Sequence, residues 1–322
     1  MRRRSVFAAL TVLAVVAAQS AQSEPWPQKP VKIVVPFAPG GNTDGIARLI
    51  AQPLGATFGQ QFVVENRAGA AGVVATEAVV RSPADGYTLL MGTPSQITIA
   101  PAMAKTPYDP VRDLAAISIV ATNPYVLVIN PALPARTLPQ FIDYVRGRPE
   151  KLTYAAPVFG GLSHLSMVLF LKRAGLEMTP VSYKGGAAPL ADIIAGHVPV
   201  YFATLSEAVS QARSGTVHLL AVSSEKRVPQ LPDVPTFAES GFPGLKAMTW
   251  NGLMAPAAVP KEIIGRIATA VEAAAKDADF AKRLASFGVD PVGSTPEQFA
   301  ATIAADLALW GEAVKLAGIG EK

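Results

Sequence analysis

The chain has 322 residues, half of them hydrophobic and 16% charged, with no cysteine and a formal charge of +4. That length accommodates two domains, and the composition excludes global disorder, a disulfide framework and a thiolate metal site. The 26 glycines and 28 prolines stay below the roughly 25–30% of a low-complexity chain.

Residues 1–23 read as a secretory signal. Arg2, Arg3 and Arg4 precede an apolar run from Val6 to Ala18, and Ala18-Gln19-Ser20 and Ala21-Gln22-Ser23 offer small-x-small cleavage sites. The run is too short for a bilayer, which needs about 20 residues. Cleavage after Ser23 removes three arginines and no acid, leaving a charge of +1. The overall basicity therefore belongs mostly to the export signal, and no basic patch argues for nucleic acid.

Beyond the signal the pattern is β-α-β. Val31, Ile33, Val34 and Val35 predict a strand buried on both faces. A turn, Pro36 to Asp44, ends in N-cap residues. Ile46, Leu49, Ile50 and Leu54 then follow at helical spacing. Phe62–Val64 is the next strand. A Gly69–Gly72 turn, a helix through Val80 and a strand at Thr88–Met91 complete a second unit.

Alternation continues with strands at Val126–Ile129, Leu152–Tyr154, Pro180–Tyr183, Val198–Phe202 and His218–Val222. Helices between them include Leu165–Ala174 and Pro189–Ala195. The last hundred residues read as strongly helical. In the final helix Thr295 caps, Pro296 takes the first helical position and Gln298 completes a capping box. Phe299, Ile303, Leu307, Trp310 and Val314 form its buried stripe. Repeated βα alternation implies parallel sheets covered by helices.

Motifs for covalent or metal chemistry are missing. His164, His197 and His218 are isolated, so no zinc pair forms from sequence spacing. There is no Gly-x-Ser-x-Gly elbow, and the adjacency of Ser163 and His164 carries no weight, because a nucleophile and its base meet in space. Gly40-Gly41 lacks the spacing of a nucleotide loop. What recurs is a small-residue turn after a strand: Pro39-Gly40-Gly41, Gly92-Thr93-Pro94-Ser95, Gly160-Gly161-Leu162-Ser163 and Gly185-Gly186. In parallel α/β sheets such turns lie at the carboxyl edge, where helix N-termini present N–H groups to an anion. A small carboxylate could be held there without an arginine.

The segment Lys29-Pro30-Val31-Lys32-Ile33-Val34-Val35-Pro36-Phe37-Ala38-Pro39-Gly40-Gly41, with Asp44, Ala47 and Arg48, resembles the opening of the Bug family, the substrate-binding receptors of tripartite tricarboxylate transporters. The likeness continues through Val64-Glu65-Asn66-Arg67-Ala68-Gly69, Asp85-Gly86-Tyr87-Thr88-Leu89, Tyr108-Asp109-Pro110 and Tyr183-Lys184-Gly185-Gly186. It ends with Asp233-Val234-Pro235-Thr236, Glu239-Ser240-Gly241, Trp250-Asn251-Gly252-Leu253, Ala255-Pro256 and Gly293-Ser294-Thr295-Pro296-Glu297.

The resemblance implies an α/β protein of the type II periplasmic binding protein kind. Each of two lobes would hold a mainly parallel sheet flanked by helices, with two crossover strands and a ligand cleft between. It divides the chain into lobe 1 (24–124 and 223–322) and lobe 2 (125–222), crossing near Tyr125 and Ser223. It implies capture of a small organic carboxylate in the periplasm and delivery, as a monomer, to membrane permease subunits, with no catalytic, metal or cofactor site. A periplasmic enzyme acting on a carboxylate and a ligand-sensing subunit are the alternative readings. Carried over to this chain, the binding residues are Phe37, Ala38, Gly40, Gly41, Asn42, Asp44, Thr93, Ser95, Gly160, Gly161, His164, Gly185, Phe202, Ala203 and Thr204. Asp44 and His164 also read as residues that pin their loops, since an aspartate repels a carboxylate. The chain departs from the family at Val158–Ser163, at Ser182 (commonly proline) and at Pro199 (commonly aspartate). Phe159 and Leu162 would make that side of the cleft less polar.

Overall fold

The computed structural model describes residues 26–148, 152–184, 187–245, 247–286 and 288–319. The signal at 1–23 and Gly185 lie outside them. Two β-sheets share one strand, and each is covered by helices on both faces.

The first sheet is built on β1 (Val31–Val35), which pairs in parallel with β2 (Phe62–Asn66) and β3 (Thr88–Gly92). Helix α1 (Asn42–Phe58) connects β1 to β2. A 3-10 turn (Ala70–Gly72) and α2 (Val73–Val80) connect β2 to β3. The near-continuous apolar runs have the expected cause. Ile33, Val35, Leu89 and Met91 face α1, while Val34 and Leu90 face Ala75 and Val79 on the opposite side.

After β3 the chain makes a π-helical turn (Ser95–Ile99) and the short α3 (Ala100–Met103), then enters the 16-residue β4 (Leu114–Ile129). The antiparallel β9 (Met248–Pro256) lies between β3 and β4, and the two-residue β10 (Asp290–Pro291) pairs with β4, so the first sheet runs β2-β1-β3-β9-β4-β10. Sequence reading assigned the last hundred residues to helix and missed β9 and the first half of β4. Asn251 and Gly252 interrupt the apolar run of β9, and small residues dominate Leu114–Thr122, so neither stretch alternates clearly.

At Pro124 β4 still pairs with β9. From Tyr125 onward it pairs with β7 (Val200–Thr204) and β8 (His218–Val222) of the second sheet. That sheet continues through β5 (Thr153–Ala156) to β6 (Thr179–Ser182). Helices α4 (Leu138–Arg146) and α5 (Leu162–Ala174) cover one face with Phe141, Leu165 and Phe170. Helices α6 (Ala187–Ala195) and α7 (Leu205–Arg213) cover the other with Ile193, Leu205 and Val209.

Residues 224–245 pack on this second sheet. Val228 joins the α6–α7 side, and Phe237 and Leu245, with Ala247, join the α4–α5 side, before β9 enters the first sheet at Met248. The three connecting stretches are knitted together. Tyr125 N donates to Ser223 Oγ (2.8 Å) and to Ala247 O (3.2 Å), and Ser223 N donates to Tyr125 O (2.8 Å).

Helices α8 (Lys261–Lys276) and α9 (Ala278–Ala285) complete the α1 face of the first sheet. The last helix, α10 (Pro296–Ala317), has the expected capping box. Gln298 N donates to Thr295 Oγ1 and Thr295 N donates to Gln298 Oε1. Its stripe spans both bodies: Phe299 and Ile303 pack on the first sheet, Trp310 and Val314 in the core of the second. Among the described residues no helix is long and apolar enough to cross a membrane.

Candidate functional site

The carboxyl ends of β1, β3, β5 and β7 meet between the lobes, and their turns line a cleft. Phe37, Asn42, Thr43, Thr93, Ser95 and Thr249 come from the first lobe, and Pro157, Val158, Gly161, Leu162, Ser163, Tyr201, Thr204 and Glu207 from the second. Tyr125 stands at the crossing. The cavity is about 60 Å³ and partly open to solvent. Phe37 and Val158 separate it from an adjoining hollow of about 300 Å³, bounded by Gly69–Gly72, Phe159 and Lys184.

Two helices begin at this cleft on glycine. Gly41 precedes α1 and Gly161 precedes α5, and neither helix has a side-chain cap. The sequence signal had placed the cap of α1 among Asn42–Asp44. The helix instead starts at Asn42, because the extended Gly41 lets the chain turn directly from the loop. First-turn N–H groups have no partner within their own helix and carry the positive end of its dipole. At α5, Leu162 N donates across the cleft to Ser95 Oγ (3.1 Å). Among the described residues no lysine, arginine or histidine lines the cavity, so the positive potential they supply there comes from backbone.

The walls are polar and mostly spoken for. Ser163 Oγ donates to Phe202 O (2.6 Å), so its proton is held by the backbone of β7. With the Gln96 amide oriented to match donors to acceptors, its nitrogen donates to Thr93 Oγ1 (2.6 Å) and its oxygen accepts from Thr93 N (2.9 Å), leaving the Thr93 hydroxyl proton available to the cleft. Tyr125 stacks on Phe202 with ring planes 5° apart.

A polar bridge closes one end. Asn123 Nδ2 donates to Asn42 Oδ1 (2.8 Å) and Ser206 Oγ (2.7 Å). Ser206 Oγ donates to Asn42 Oδ1 (2.8 Å), and Asn42 N donates to Glu207 Oε1 (3.4 Å). Glu207 Oε2 also accepts from Tyr201 Oη (2.8 Å) and Thr204 N (3.3 Å). Burial raises the Glu207 carboxyl above its ordinary value, only partly opposed by those hydrogen bonds, and burial drives the Tyr201 phenol far upward.

Of the carried-over residues, the structure brings Phe37, Asn42, Thr93, Ser95, Gly161 and Thr204 to the cavity wall. Gly40 and Gly41 border a separate groove behind α1. Ala38 stands at the rim, its N–H directed to Lys184 O (3.4 Å). Asp44 is buried under the loop and accepts from Gly40 N (3.0 Å), Arg48 and Asn66 Nδ2 (3.0 Å). Burial alone would raise its carboxyl; the hydrogen bonds from Arg48, Gly40 and Asn66 outweigh that and hold it below the ordinary value.

His164 Nδ1 accepts from Gly160 N (3.2 Å) and its ring packs on Phe159 and Tyr154. Burial lowers its pKa to about 4, so it is neutral at pH 7. Phe202 and Ala203 lie behind the wall in the cores.

Sequence reasoning did not select Thr43, Tyr125, Pro157, Val158, Tyr201, Glu207 or Thr249. Most come from strands or their ends, where no turn signal marks them. Glu207 carried one: Thr204-x-x-Glu207 is a capping-box spacing. Among the described residues no group of three or more acidic or histidine side chains could hold a metal.

Known proteins share this architecture. The family model described as "Tripartite tricarboxylate transporter family receptor" matches residues 46–319. BugT of Bordetella pertussis is 34% identical over 301 residues, covering 92% of this chain and 91% of that protein. Among solved structures, R. palustris Rpa4515 with adipate is 36% identical with a TM-score of 0.89, covering 92% of this chain and 99% of that one. BugD, a periplasmic binding protein, is 32% identical with a TM-score of 0.88, covering 92% and 100%. MatC from Rhodopseudomonas palustris with bound malate is 31% identical with a TM-score of 0.85, covering 90% and 100%. With more than half its residues inside the family model and a fold superimposing on these proteins, this chain belongs to the tripartite tricarboxylate transporter receptor family, the two-lobed solute-binding proteins of type II topology.

Proposed function

We infer that the protein captures a small organic carboxylate between its lobes in the periplasm and, as a monomer, delivers it to the permease subunits of a tripartite tricarboxylate transporter. The observation that carries this reading is the pair of helices, α1 and α5, that begin on glycine, with no cap from their own N-cap residue, on opposite sides of a cavity that no cationic side chain lines among the described residues. Such an arrangement suits an anion small enough to take N–H groups from both lobes. The carboxylates bound to Rpa4515 and MatC support the same class of ligand.

Our proposed lobe division keeps the forward crossing expected near Tyr125, at Pro124–Tyr125, and moves the return expected near Ser223 to Ala247–Met248. The packing of Val228, Phe237 and Leu245 in the cores of the second sheet supports that move. Closure is then a hinge motion about the Tyr125–Ser223–Ala247 knot, with ligand stabilising a closed state already accessible to the free protein.

Thermal denaturation of the exported form with a panel of mono-, di- and tricarboxylates, aromatic ones included, tests the reading. A ligand at 100 times its Kd stabilises by about 2.7 kcal/mol. A panel without any shift would end the carboxylate assignment, and chemical conversion of a bound compound would make the protein an enzyme.

A further inference from the structure

Among the described residues the wall of the cleft carries one carboxylate, Glu207, and no basic side chain lines that cavity. A glutamate at the third position of a helix commonly serves as the reciprocal half of a capping box, and Glu207 does accept from Thr204 N. Capping does not account for the rest of its surroundings. The residual surface of this half-buried side chain faces the cavity on one side and the groove behind α1 on the other. A carboxylate offers about four acceptor positions. Tyr201 Oη and Thr204 N occupy two on Oε2, and Asn42 N takes one on Oε1 at a long 3.4 Å. Capacity remains on Oε1, and no cationic side chain among the described residues pairs with it.

We propose that Glu207 is a specificity-determining residue that reserves its end of the cleft for an N–H donor on the ligand. The compounds favoured are then carboxylates carrying an ammonium or amide group, and those disfavoured are plain dicarboxylates of the same length. This rests on the carboxylate reading above. The ligand's carboxylate takes first-turn N–H groups of α1 and α5 beyond those of Asn42 and Leu162, which Glu207 and Ser95 hold, and its donor group reaches Glu207 Oε1. A second carboxylate in that place would set acceptor against acceptor wherever Glu207 is ionised. Asn42, whose side chain ties Asn123 and Ser206 together, holds the α1 and α7 ends at the spacing this geometry needs.

The test is titration calorimetry at neutral pH with succinate, its isosteric monoamide succinamate, and β-alanine, together with glutarate and 4-aminobutyrate as a longer pair. The intact mature protein is expected to bind the nitrogen-bearing member of each set about tenfold or more tighter, the scale of one charge-assisted hydrogen bond. Glu207→Gln keeps an acceptor for the capping box and gains an amide that can donate, so it should fold normally and shift preference toward the dicarboxylates. A glutamate that only capped the helix would, on substitution, change affinity for every member alike, and that result overturns the proposal. Preference of the wild-type protein for succinate over succinamate overturns it without recourse to any variant, while leaving the carboxylate reading standing. Binding of no member of either set, nor of any carboxylate in the wider panel, removes both.

Discussion

Asp44→Asn probes how the first cleft loop is held. The wild-type carboxylate is almost fully buried and accepts from Gly40 N at 3.0 Å, from Asn66 Nδ2 at 3.0 Å and from Arg48 through Nε and a terminal nitrogen. The substitution removes the charge and sets an NH₂ group against donors. Breaking a buried ion pair costs about 3–5 kcal/mol, but the Arg48 side chain is 53% exposed and regains water. The expected loss is therefore smaller, about 2–3 kcal/mol at neutral pH. Asp44 is held below its ordinary value in the folded protein, so its contribution is present above the unfolded value of 3.8 and disappears as pH falls through the lower, folded one. Urea unfolding of both proteins between pH 7 and pH 3 measures this. The stability difference should be full at pH 7 and shrink only at the acid end, and the mutant should bind ligand more weakly because the Phe37–Gly41 loop loses its anchor. A difference below 1 kcal/mol at pH 7, or one that persists undiminished at pH 3, would refute the account.

Two further substitutions bear on stability and closure. A Cβ on Gly252 would fall 2.3 Å from Cζ of the fully buried Phe299, so Gly252→Ala should destabilise by at least the ~1–3 kcal/mol typical of overpacking, read by chemical unfolding. A Cβ on Gly161 would lie 3.1 Å from Ser95 Oγ on the opposite lobe and 3.1 Å from Cβ and the carbonyl oxygen of Val158 in its own loop. Gly161→Ala should therefore weaken carboxylate binding roughly five- to tenfold through the Ser95 contact and also lower the melting temperature of the ligand-free protein by about 2–4 °C through the Val158 contacts; calorimetry and thermal denaturation together check this.

Much of this protein was legible locally. The apolar runs at Val31–Val35 and Thr88–Met91, the glycine turns that follow them, and the Thr295–Gln298 capping box each depend on residues within a few positions of one another, and the structure places a strand, a cleft loop and a helix start there. The chain of linked motifs from Lys29 onward carried the family.

Tertiary structure decided the rest. Leu114–Ile129 is one strand only because β9 and β10 pair with its first half and β7 and β8 with its second; no feature within it announces that it passes from one lobe to the other. The return at Met248 depends equally on where Val228, Phe237 and Leu245 find cores to pack in, contacts made with residues far away in sequence. Tyr125, Tyr201, Thr249 and Glu207 reach the cleft because strand pairing and lobe closure bring them there, and Glu207 becomes more than a helix cap only when Asn42, 165 positions earlier, encloses it. Local sequence settled the elements and the positive helix ends; the nonlocal pairing of strands and lobes determined which side chains those ends face.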